Sequence, residues 1–141
     1  MATGERKVVV EALSQESSIV FAYLFGSRAV GTASERSDWD IAVYINEELL
    51  EENPVWQKFR IEDRLAVTLG TDAVEVVVLN RMDNPLLAFE IISKGIVLVD
   101  NNEDERFAYE CKALGQYHDW QYFMDRHMKS EGFRGLHHGN V

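Results

Sequence analysis

The chain is poor in cysteine, in proline and in positive charge, and each shortage narrows what it can be. A single cysteine, Cys111, cannot close an internal disulfide, so nothing in the sequence calls for an oxidising compartment. Fourteen Lys and Arg stand against 24 Asp and Glu, a formal net charge of −10. Proteins that grip polynucleotides displace counterions with basic patches, so direct nucleic-acid binding is not expected. Ligands that carry phosphates stay open, because a few local groups or a metal can hold a phosphate whatever the net charge. The longest apolar runs, Ile19 to Phe25 and Val76 to Leu79, fall far short of the roughly 20 residues that cross a bilayer. Met1 to Val10 lacks a signal-peptide pattern. The expectation is a cytoplasmic protein with no membrane contact.

Core-forming residues are plentiful: 46% of the 141 residues are hydrophobic and 11% aromatic. That suits one domain over 1–141, with a core at about 5–99 and a C-terminal helix at about 101–129. Glu5 to Ser14 reads as a helix with Val8, Val9, Ala12 and Leu13 as its apolar stripe. Ile19 to Phe25 reads as a central strand that Gly26 breaks. Trp39 to Ile45 is a second strand, with Ile41, Val43 and Ile45 on one face and Asp40, Ala42 and Tyr44 on the other. Both prolines, Pro54 and Pro85, precede helical patterns, where proline suits the first turn. The first of these helices, capped by Asn53, runs to about Leu69 with Val55, Phe59, Ala66 and Leu69 on one face. Ala73 to Leu79 is a third strand, Pro85 to Lys94 a helix, and Ile96 to Val99 a short strand. A long helix follows to roughly Met128, then a polar tail. The order predicts an α/β (α+β) fold, a mixed sheet of about four strands covered by helices.

The chemistry concentrates in Gly26 to Asp40, GSRAVGTASERSDWD. Alternation along a strand puts Asp38 and Asp40 on the same face, about 7 Å apart along the backbone. Two carboxylates that close repel unless a cation sits between them or one is protonated. Such hard oxygen ligands suit Mg²⁺, which binds through one or two carboxylates plus substrate phosphates. Gly26 lets the backbone approach a ligand, and Ser27 offers a hydroxyl and an amide for phosphate oxygens. Glu75 interrupts an otherwise apolar strand, where a charge is costly unless paired or metal-bound. Asp72, after Gly70-Thr71, is its rival as a third carboxylate, and strand parity favours Glu75.

Gly26-Ser27, ten intervening residues, then Asp38-x-Asp40 resembles the signature of the polymerase-β-like nucleotidyltransferase superfamily. The wording Gly-Ser-Arg-Ala-x-Gly-Thr-Ala at 26–33 and the strand end Val77-Val78-Leu79-Asn80 resemble its minimal nucleotidyltransferases (MNT). These are antitoxins that pair with HEPN-domain RNase toxins. The resemblance implies that Asp38 and Asp40 hold two Mg²⁺ ions. It further implies that Glu75 is the third catalytic carboxylate, ligating one metal and serving as base for the incoming hydroxyl, and that Gly26 and Ser27 contact the nucleotide phosphates. It also implies an activity, the transfer of AMP from ATP to a tyrosine hydroxyl of the cognate toxin. Two positions depart from the pattern. Val30 stands where many relatives carry an arginine, and Trp39 replaces an aliphatic residue between the aspartates.

The rival reading is a non-catalytic antitoxin that occludes its toxin, and a third is nucleotidyl transfer to a small molecule. The final helix bears on the first. Tyr109, Ala113, Trp120 and Met124 form one stripe, and Phe107, Cys111, Leu114, His118 and Tyr122 another on the far side. One stripe suits the sheet and the other a partner or a helical subdomain. Cys111 reads as a packing residue. His118 and His127 are out of phase and cannot share a metal, and His137 and His138 read as solvated.

Overall fold

A computed structural model describes residues 3–33 and 37–130. The polar tail with His137 and His138 lies outside the described residues. Along the chain come α1 (Thr3–Ser14), β1 (Ile19–Phe25), the one-turn α2 (Ser27–Val30), β2 (Trp39–Ile45) and α3 (Val55–Leu69). Then follow β3 (Val74–Val78), a 3₁₀ turn at Leu79–Arg81, α4 (Pro85–Lys94), β4 (Ile96–Asp100) and α5 (Glu103–Ser130). The four strands form one mixed sheet in the order β3-β2-β1-β4. β1 runs antiparallel to β2 and β4, and β2 runs parallel to β3.

Strand alternation divides the core in two. Trp39, Ile41, Val43 and Ile45 of β2 pack with Val9, Ala12 and Leu13 of α1 and Ile61 and Leu65 of α3. On the opposite face Phe21, Tyr23 and Ala42 pack with Leu79 and Ile91, and Tyr44 and Tyr109 close over them. Tyr44 stacks on Phe21 at 4.7 Å between ring centres. α5 is held to this layer by polar groups as well. Tyr23 Oη donates to Glu110 Oε2 at 2.6 Å, and Arg106 bridges Glu110 at 3.0 Å and Asp100 at 2.9 Å. Helix starts follow local chemistry, since Asn84 accepts from the Leu87 amide and Asn102 from the Glu105 amide.

The expected face of α3 and the expected packing of Cys111 are corrected. α3 buries Gln57, Ile61 and Leu65, while Val55 and Phe59 are exposed and Ala66 and Leu69 half-buried. Gln57 turns the helix this way, because its side chain donates to the Leu49 carbonyl and accepts from the Glu51 amide. A buried polar group is kept where its partners are. On α5 the Tyr109–Ala113 stripe takes the sheet side and leaves Phe107, Cys111, Leu114, His118 and Tyr122 exposed. Cys111 is therefore a surface thiol and not a packing residue. Among the described residues no helix is long and apolar enough to cross a membrane.

Candidate active site

The end of β1 and the starts of β2 and β3 meet at one end of the strands. Phe25 pairs with Asp40 across the antiparallel ladder, so Gly26 follows directly beside that aspartate. Gly26 has φ 78° and ψ −159°, a conformation that favours glycine. A Cβ at this position would fall on the Asp40 carboxylate oxygen, with the carboxyl carbon at 3.2 Å. The chain then turns into α2, where the amides of Ala29 and Val30 bond back to the Gly26 carbonyl. Ser27 opens this turn, and the first amides of a helix have no partner within it.

Asp38 precedes β2 and is exposed, while Asp40, two residues on, is half-buried in the strand and feels the Asp38 charge. The parallel register sets Asp40 opposite Glu75 and Trp39 opposite Val74. Neighbours in register share a face, so Glu75 stands beside Asp40. Asp72 is exposed and lines a groove with Phe59, Glu62 and Asp63 of α3, on the other side of the sheet. Glu75 itself is exposed, because β3 is an edge strand. The reasoning that its charge is buried is thus corrected, whereas strand parity puts it where it stands. Burial pushes the Asp40 carboxyl above its ordinary range, and the charges of Asp38 and Glu75 push it the same way. Among the described residues no three His, Cys, Asp or Glu side chains converge closely enough to hold a metal as a protein-only cage.

Residues 7–104 match the family described as "Polymerase beta, Nucleotidyltransferase". The chain belongs to the polymerase-β nucleotidyltransferase family. It is 30% identical over 115 residues to the protein adenylyltransferase MntA of Aphanizomenon flos-aquae, across 77% of this chain and 75% of that one. Two solved structures share the fold. One, a toxin–antitoxin complex with AMP-PNP, has a chain that superposes with a TM-score of 0.71 at 24% identity, over 89% of this chain and 96% of its own. The other is a tri-AMPylated Shewanella oneidensis HEPN toxin in complex with an MNT antitoxin. Its match has a TM-score of 0.68 at 21% identity, over 92% and 98% of the two chains.

Two clefts among the described residues of this nucleotidyltransferase are lined by neither aspartate. One of about 520 Å³ opens between α5, the 3₁₀ turn and the start of α4, and its lining includes Tyr44, Glu47, Asn80, Tyr109 and Lys112. Gly26, Ser27, Asp38 and Asp40 do not line it. Glu75 lines a shallower groove of about 310 Å³ along the outer edge of β3 with Val55, Lys58 and Met82. The sequence reading passed over Arg28 and the helical turn that carries it. Arg28 is buried, its Nε and Nη2 donate to the Ser37 carbonyl, and its guanidinium lies over the Trp39 ring. The available signal was an arginine beside a strand-ending glycine, with a tryptophan between the two aspartates.

Proposed function

We propose that this nucleotidyltransferase is a Mg²⁺-dependent protein adenylyltransferase and the antitoxin of a toxin–antitoxin pair. It moves AMP from ATP to a tyrosine hydroxyl on a HEPN-type RNase toxin and so neutralises it. The observation that carries this reading is Asp40 with Glu75 in register beside it, Gly26 pressed against it and the Asp38 charge close enough to act on it. The adenylyltransferase named among the relatives, and the AMPylated toxin bound to a structural neighbour, support the acceptor class.

The residues fit a divalent cation. Every influence resolved on Asp40 raises its carboxyl, and the two charges among them are both negative, so the pair attracts an ion of opposite sign. Mg²⁺ prefers few carboxylates with water and phosphate oxygens completing its octahedron, so it needs no three-carboxylate cage. Asp38 and Asp40 would hold two such ions, with Glu75 as a further ligand to one of them. When bound, the metal neutralises the triphosphate and polarises the α-phosphorus for in-line attack. Gly26 and Ser27 orient the phosphates. Glu75 accepts the proton from the tyrosine hydroxyl as that oxygen bonds to the α-phosphorus. The bond from the α-phosphorus to the bridging oxygen breaks, and pyrophosphate leaves with that electron pair.

A second reading, neutralisation by occlusion alone, is favoured by the exposed stripe of α5, where Phe107 and Tyr122 are each 64% exposed. Aromatic side chains of this kind are enriched at the centres of interfaces. The two readings separate on the variant carrying Asp38→Asn and Asp40→Asn. With α-labelled ATP and the HEPN-type partner, transfer is expected to stop while the complex still forms. Undiminished transfer would sink the site assignment, and full neutralisation without transfer would favour occlusion.

A further inference from the structure

Arg28 sits two residues beyond Gly26 and is only 8% exposed. A guanidinium removed from water needs acceptors along its fork of N–H groups. The Ser37 carbonyl accepts from Nε at 3.1 Å and from Nη2 at 2.9 Å. The centre of the same guanidinium lies 4.2 Å from the centre of the Trp39 ring, and Trp39 is 2% exposed in the core beneath. Ser37 and Trp39 flank Asp38, so a single side chain is fastened to the backbone on one side of that aspartate and to a ring on the other. The β2–β3 ladder begins only at Trp39, whose amide donates to the Ala73 carbonyl at 2.8 Å. Asp38 therefore lies just before the ladder, next to the residue whose carbonyl Arg28 holds.

We infer that Arg28, stacked on Trp39, is a positioning residue that fixes the backbone of Ser37 to Trp39 and so holds Asp38 alongside Asp40. The inference rests on the proposed role of those two aspartates. It also gives the tryptophan between them a purpose, since an aliphatic side chain offers no π face to a buried cation. Lysine is a poor substitute, because it lacks the planar fork that donates twice and stacks at once.

Arg28→Lys, Arg28→Met and Trp39→Phe in the full chain test this. The readouts are AMP transfer from ATP to the HEPN-type partner, binding of Mn²⁺ alone by electron paramagnetic resonance, and amide exchange. The lysine and methionine variants are expected to lose roughly tenfold to a hundredfold in kcat, the scale of a misplaced catalytic group, with KM for ATP changed less than about twofold. Mn²⁺ binding should weaken, and exchange should quicken at 38–39 but not along β1. Trp39→Phe keeps a ring under the guanidinium and should keep most of the activity. Unchanged kcat and Mn²⁺ affinity in Arg28→Met overturn the inference, as does exchange that quickens equally across the sheet. If the Asp38 and Asp40 double variant still transfers AMP, the active-site reading fails instead, and the two failures are distinguishable.

Discussion

Replacing Gly26 with alanine is expected to injure the site more than the fold. Gly26 lies at φ 78° and ψ −159°, and holding another residue there costs about 1–3 kcal/mol. The three atoms nearest the added methyl all belong to the Asp40 side chain, whose carboxyl carbon and Cβ lie 3.2 and 3.4 Å away. A side chain can rotate aside where backbone cannot, so the collision is relieved by turning the carboxylate out of its place. Gly31 is the matched control. It has φ 83° and ψ 12°, nothing lies within 4 Å of an added Cβ, and the left-handed backbone alone costs about 1–2 kcal/mol. In a domain of this size 1 kcal/mol shifts Tm by roughly 4 °C, so Gly26→Ala should melt roughly 4–12 °C early and Gly31→Ala roughly 4–8 °C early. Their activities should diverge. Assayed at a temperature where both are folded, Gly31→Ala should keep kcat within about twofold, and Gly26→Ala should lose more than about tenfold. Calorimetry and AMP transfer measured on the same samples decide it. Wild-type kcat in folded Gly26→Ala would refute the claim that this glycine exists to make room for Asp40.

Two further outcomes follow from the face that α5 covers. Burial, with Tyr44 close by, pushes the Tyr109 hydroxyl up to about 12 from an ordinary 10.0. A folded-state value raised above the unfolded one gives stability that is full below about pH 10 and lost as pH rises towards 12, an effect of roughly 2–3 kcal/mol. Tyr109→Phe should flatten part of that alkaline loss in denaturant titrations from pH 8 to 12, and an unchanged pH profile would contradict it. The exposed stripe is tested by Leu114→Asp, at a side chain 42% exposed. Surface changes of this kind move stability by about 0.5 kcal/mol or less, so a weakened complex at an unchanged Tm locates the partner's contact on α5. An undiminished complex removes it from there.

Where each side chain could be read in advance follows from how local its cause is. β1 and β2 were visible because Ile19–Phe25 is apolar almost throughout and Trp39–Ile45 alternates. The two-residue period suggested a shared face for Asp38 and Asp40, but β2 begins only at Trp39, so alternation governs Asp40 and stops short of Asp38. Glu75 depended on more. Its place beside Asp40 requires that β3 pair with β2 in parallel at one register, a long-range choice no local pattern encodes. Parity suggested it, yet the burial argument failed because edge position is also long-range information. α3 misled because Val55 and Phe59 mimic a core stripe, whereas a buried glutamine bonded to the preceding loop sets the rotation. On α5 both stripes were legible, but which one met the sheet was settled by Tyr109 packing on Phe21 and Tyr44. Arg28 stayed hidden because a charged residue reads as surface until its acceptor and its ring are found in space.

The central claim is that Asp38 and Asp40 carry out AMP transfer to a protein hydroxyl. Intact mass spectrometry of the HEPN-type partner, after incubation with this protein, ATP and Mg²⁺, tests it most directly. The account predicts whole AMP increments on the partner with the wild-type chain. It predicts none with the double variant carrying Asp38→Asn and Asp40→Asn, and none when the metal is chelated. A partner that stays unmodified under wild-type conditions, or one modified equally by the double variant, would contradict it.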